Sequence, residues 1–207
     1  MIDEDVKKHI TSSDDWGISK FKLSNLSKIV KQFQFVAHEN PSNSGDKVNA
    51  EQLPPTNHWS ILLTVNTTEI SSVQVEVVPN EPGEPGMVVV ESMDYAFNSN
   101  YTKTVSVDAP EGITVADVLN LIIQKKRDHY IFAPVGEGCR FWLYTIADDF
   151  VDANFISSAI VHEVQSALVM YWPTPKGTAA ITRPMAKGRF PNSESGIARI
   201  GKFYNCG

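Results

Sequence analysis

The sequence predicts an α+β fold, an antiparallel sheet of about five strands packed against two to three helices. Three observations carry that expectation. Residues 32–37, 72–78 and 101–107 alternate with a period of two, as half-buried strands do. From Val115 onward the apolar spacing changes to three and four, which marks one face of a helix. The strands come first and the helices follow, which separates α+β from an alternating α/β arrangement.

The elements follow in order. Residues 1–26 are polar and mixed, with Trp16 and Phe21 as docking points, and predict a loosely held arm with a short helix near Ser24–Lys31. Gln32–Ala37 reads as the first strand. The Pro-, Asn-, Ser- and Gly-containing stretch from Glu39 to Thr56 predicts a loop. His58–Val65 and Ser72–Val78 predict two more strands, joined by a turn at Asn66–Glu69. Met87–Val90 and Tyr101–Val107 complete the set, and the short connections favour a meander.

Thr114 then reads as an N-cap, with Asp117 in the capping-box position and Val115, Val118, Leu119, Ile122 and Ile123 as the buried stripe. A short extended piece at Tyr130–Phe132 and a turn from Pro134 to Gly138 precede a helix over Cys139–Phe150. A longer helix is expected over Asn154–Tyr171, stopped by Pro173 and Pro175. The resulting organisation is an N-terminal arm over residues 1–30, an α+β core over 31–175, and a basic, Gly-rich C-terminal tail over 176–207.

Charge narrows the function classes. The 207 residues carry a formal net charge of -6 and a sequence pI of about 5.3. Phosphate binding needs a cationic face, so no nucleic-acid partner is expected. The start of the chain is charged from its third residue, and no stretch has the apolar length of a membrane span. A cytoplasmic location follows as an expectation. The two cysteines, Cys139 and Cys206, are then free thiols rather than a disulfide framework. Nucleotide-binding glycine motifs, a zinc-binding H-E-x-x-H and C-x-x-C are all absent, so neither cofactor nor metal is expected.

One segment can carry chemistry: Gly136-Glu137-Gly138-Cys139-Arg140-Phe141-Trp142. Its glycines make a tight turn immediately before a helix that starts at Cys139. A thiol there faces free backbone N–H groups and the positive end of the helix dipole, and both favour the thiolate. Arg140 adds a positive charge nearby. The thiolate needs a proton acceptor. His58, in Asn57-His58-Trp59 at a strand start, is the first candidate, and His38 is its best rival. Asp148-Asp149 reads as a solvated helix-surface pair.

The order of a His on a strand, further strands, a helix and then Gly-Cys-Arg-Phe-Trp opening another helix resembles the circularly permuted papain-like folds. These include the lecithin:retinol acyltransferase group and the PPPDE peptidases. The pair of motifs also resembles a group of uncharacterised fungal proteins. The resemblance spans roughly His58 to Asp152 and implies Cys139 as nucleophile and His58 as general base. It places a third, orienting residue on the following strand, where Glu76 is favoured over Gln74. Gly138 stands where those families carry Asn.

Asn57 would hold its loop or donate to an oxyanion, and Trp59, Arg140 and Trp142 would line the substrate pocket. The implied activity is that of a cysteine-nucleophile hydrolase or acyltransferase acting on an amide, ester or thioester, with a small-molecule or acyl substrate. Two alternatives stay open: a non-catalytic binding or interaction protein, and a non-covalent enzyme of fungal secondary metabolism. In both, Cys139 would be an inert buried thiol.

Overall fold

The computed structural model describes residues 2–40, 55–66, 71–80, 84–94 and 101–191. The turn expected at 66–69, most of the loop expected at 39–56, Cys206 and the tail beyond 191 lie wholly or mainly outside the described residues.

The chain is α+β, and its described residues form a six-stranded, mostly antiparallel sheet and four α-helices. It opens with α1 (Ile2–Ser12), where the sequence suggested a loose arm. Val6 and Ile10, four residues apart, share a face and are both buried, so the helix is held by packing on the core. Asp3, Glu4 and Asp5 in its first turn suit the dipole. Trp16 and Phe21 are buried as expected. The helix expected near Ser24–Lys31 is a single 3-10 turn, Leu23–Asn25. Beyond it, the Val30 and Lys31 N–H groups donate to the Ile113 and Thr64 carbonyls, which draws that segment into extended form.

The sheet is built from β1 (Trp16–Gly17), β2 (Gln32–His38), β3 (His58–Asn66), β4 (Ser71–Val78), β5 (Met87–Met93) and β6 (Tyr101–Asp108). Its order is β1-β5-β4-β3-β2-β6, with the β1–β5 pair parallel and the other four pairs among the described residues antiparallel. β3, β4 and β5 form the expected meander. β6 departs from it and pairs with β2. The interior of β2 is buried without a break, so it needs a ladder on both edges, and β6 supplies the second one.

Alternation sorts the sheet into two faces. Phe33, Phe35, Trp59, Ile61, Leu63, Val73, Val75 and Val77 point to the helices and are fully buried. The other face carries Gln34, His38, His58, Ser60, Gln74 and Glu76. Helix α2 (Val115–Gln124) has the predicted capping box: Thr114 accepts from the Asp117 N–H, and the Asp117 carboxylate accepts from the Thr114 N–H.

α3 (Cys139–Asp152) begins where the sequence placed it and packs on β3 and β4. α4 (Ser158–Leu168) is shorter than expected because Ser157 caps it. Phe155 and Ile156 are buried in the turn before that cap. The chain leaves α4 to form β7 (Met170–Tyr171), which pairs with β8 (Ile181–Thr182).

Asp149 corrects the surface reading of its pair. Its carboxylate is buried and accepts from Arg127 Nε at 2.6 Å and Nη2 at 3.0 Å.

Candidate active site

The C-terminal ends of β2 and β4 and the N-terminal end of β3 meet at one edge of the sheet. There the register pairs His38 with His58. The N-terminus of α3 arrives at the same edge and brings Cys139 to His58. The thiol is hydrogen-bonded to the imidazole and receives the backbone N–H of Trp59. On its far side, His58 Nε2 lies 2.5 Å from Glu76 Oε2. That contact leaves Nδ1 as the ring nitrogen for the thiol. Gln74, two residues before Glu76 on the same face, hydrogen-bonds the carboxylate.

These three side chains bias one another's ionisation. Burial opposes the charged form of each. For Cys139, the His58 hydrogen bond and charge, the Trp59 N–H and the Arg140 charge outweigh burial, and the thiol pKa is lowered. For His58, burial is outweighed by its bonds to Cys139 and Glu76 and by their negative charges, and the imidazole pKa rises to about 10. Despite its own burial, Glu76 is held below its ordinary value by His58. The arrangement favours a thiolate–imidazolium pair oriented by a carboxylate.

Gly138 is the N-cap residue of α3, and no side chain caps the helix. Its first-turn N–H groups have no intrahelical acceptors and can receive developing negative charge beside the thiol. A side chain at 138 has no room: a Cβ there would lie 2.6 Å from the Tyr130 hydroxyl oxygen and 3.0 Å from Phe132. This is the physical reason for glycine at that position. The Tyr130 hydroxyl donates to the Gly138 carbonyl at 2.9 Å and accepts from the Gly188 N–H at 3.0 Å. It thereby ties the cysteine loop to the C-terminal segment.

A cleft of about 330 Å³ opens over Cys139 and His58. Asn57 and Arg140 border it, but their polar groups are committed to the protein. The Asn57 amide donates to the carbonyls of His38 and Trp172 and to Thr102, and its oxygen accepts from the Trp172 N–H. These bonds tie the start of β3 to the end of β2, to β6 and to Trp172. Arg140 is buried, and its guanidinium donates to the carbonyls of Leu168, Arg183 and Pro184. It anchors residues 183 and 184, which lead to the cleft-lining Ala186.

Trp59 and Trp142 do not border the cleft. Alternation along β3 turns Trp59 to the helix side, and Trp142 is in the core with its indole N–H donating to the Arg127 carbonyl at 2.7 Å.

His38 stands 6.2 Å from His58, centroid to centroid, and meets Ser60 at 2.8 Å instead of the thiol. Burial and the His58 charge, against a smaller opposing effect of Glu76, lower its pKa to about 4. Sequence reading missed Tyr130, Phe132 and Glu137 as parts of this site. Glu137 lies within the glycine motif already singled out, and it pairs with Arg183 at 2.6 Å and Arg140 at 3.6 Å. No local pattern marks Tyr130 and Phe132, because only the tertiary fold carries their strand piece to the loop.

Among the described residues no group of three or more His, Cys, Asp or Glu could hold a metal ion. No helix among them is long and apolar enough to cross a membrane. No curated protein and no solved structure matches the chain. Residues 33–191 match a family described as a domain of unknown function, DUF7770. That span is more than half the chain and contains His58, Glu76 and Cys139, so the protein belongs to the DUF7770 family.

Proposed function

We propose that the protein is a thiol hydrolase or acyltransferase acting on an amide, ester or thioester, on a circularly permuted papain-like fold. The observation that carries the reading is His58 held between the Cys139 thiol and the Glu76 carboxylate beneath an open cleft. A thiolate formed at a helix N-terminus, with a charged imidazole beside it, is an activated nucleophile.

In the reaction the Cys139 sulfur bonds to the substrate carbonyl carbon. The oxyanion draws on first-turn N–H groups of α3, that of Cys139 first. The bond to the leaving group breaks, and His58 gives that group its proton. Water, or an acceptor amine or alcohol, then attacks the thioester while His58 takes its proton. The acid or transferred acyl product leaves, and the thiolate is restored. Glu76 keeps the ring oriented throughout and stabilises its charged form whenever His58 carries the proton.

The test is the iodoacetamide alkylation rate at Cys139 against pH, read by peptide mass spectrometry with Cys206 as internal control. Fast alkylation at pH 6 that is lost in His58→Ala supports the reading. A rate no faster than that of Cys206, and unchanged by the substitution, would overturn it in favour of a structural thiol.

A further inference from the structure

The cleft has two chemically different halves, and the strand order decides which lies where. Val77 and Pro79 come from the end of β4, on one side of His58, and Phe132 packs beside Gly138. With Ala186 they supply the apolar residues that line the cleft. On the other side of His58 lies β2, and its last residue, His38, pairs with His58 in the register. Glu39 follows directly, exposed and lining the cleft. His58, on β3, therefore stands between the apolar residues of the β4 side and Glu39 on the β2 side.

The charges around the cleft single out Glu39. Thiolate, imidazolium and the Glu76 carboxylate together leave one net negative charge. Glu137 with Arg140 and Arg183 leaves one net positive charge. The two clusters offset each other. Among the described residues Glu39 has no ion-pair partner, and none of them cancels its charge at the cleft mouth.

We propose that the substrate is a small molecule that joins an apolar acyl group to a leaving group bearing a positive charge, with Glu39 selecting the cation. The inference rests on the thiol-acyl reading of the site. Its direction is part of the proposal: the group that leaves must be reached by His58, and we place it on the Glu39 side, with the acyl group against the apolar wall. The cleft volume of about 330 Å³ is near the lower bound of ligand pockets, which suits a compact ester or amide of an amino alcohol or diamine. A carboxylate at a partly solvated mouth attracts a cation modestly, and salt screens the effect.

The experiment labels Cys139 of the full chain with three methanethiosulfonates: a trimethylammonium-ethyl, a sulfonato-ethyl and an uncharged methyl reagent. In each case the thiolate displaces methanesulfinate and forms a disulfide. Rates are read at the Cys139 peptide and normalised to the uncharged reagent. Because these reagents also modify ordinary thiols, the preference is measurable whether or not Cys139 is activated. Activation itself is read separately from the pH profile and His58→Ala.

The expected result is a cation-over-anion preference that falls about threefold or more in Glu39→Gln, falls further in Glu39→Lys, and shrinks at high salt. A preference unchanged in both variants would overturn the role of Glu39 while leaving the thiol chemistry standing. Failure of all three reagents to reach Cys139 would overturn both. Residue 39 is exposed, so neither variant threatens the fold.

Discussion

The Nε2 atom of His58 lies 2.5 Å from Oε2 of Glu76, although 18 residues separate them in the chain. The β3–β4 ladder pairs Ile61 with Val75, which sets Glu76 across from Ser60, and His58 lies two residues from Ser60 on the same face. The carboxylate thus reaches the imidazole diagonally, a contact that antiparallel neighbours allow. Its consequence is a charged imidazole facing the thiol.

Replacing the carboxylate tests that consequence. Glu76→Gln keeps a hydrogen-bonding group but removes the charge. The His58 pKa should fall from about 10, and the thiol pKa should rise as its cationic partner weakens. The pair persists above the lowered thiol pKa and below the raised imidazole pKa, so the loss shows first at low pH. Alkylation of Cys139 at pH 6 should slow as the thiolate fraction falls. An unaltered pH profile would show that Glu76 does not govern the pair.

His38 makes stability depend on pH. Its folded pKa, about 4, lies below the ordinary value of 6.5, so between those values the unfolded chain binds a proton that the folded chain refuses. Stability therefore rises with pH across that window and is lost as pH falls from 6.5 toward 4, by up to about 3 kcal/mol. Urea unfolding at pH 7 and pH 4.5 should show the loss, and His38→Gln should flatten it.

Gly138→Ala should displace the loop that carries the nucleophile. The added methyl would meet the Tyr130 hydroxyl and ring and Phe132, and overpacking of this kind costs about 1–3 kcal/mol. A fall in thermal midpoint should accompany slower Cys139 alkylation. Normal values of both would place Tyr130 and the loop farther apart than described.

Arg140→Lys should loosen the cleft wall. One ammonium cannot serve the Leu168, Arg183 and Pro184 carbonyls together, and each buried acceptor left unpaired costs about 1–3 kcal/mol. Limited proteolysis within residues 183–190 should quicken relative to the parent chain. Equal cleavage rates would mean that the segment is held by other contacts.

Local chemistry was enough to predict several elements. The alternation in β2, β4 and β6, the Thr114–Asp117 capping box and the start of α3 at Cys139 all depend on near neighbours and period, so each is legible along the chain. The thiol-bearing turn was legible for the same reason: glycine before a helix is a local signal.

Other features depend on which surfaces meet. Helix α1 is held by Val6 and Ile10 on a core assembled from distant segments, so its polar composition suggested a loose arm. β6 beside β2 is a matter of sheet order, which the period of a strand does not specify. Trp59 and Trp142 are adjacent in sequence to His58 and close to Cys139. Yet strand alternation and helix phase turn both into the core. Asn57 and Arg140 carry the groups a binding site would use, and only tertiary contacts show that backbone carbonyls already occupy them. Residue types and spacing determine local conformation and intrinsic reactivity. What a side chain touches is decided by packing between segments far apart in the chain, and packing alone joined His58 to Glu76 and closed Tyr130 over Gly138.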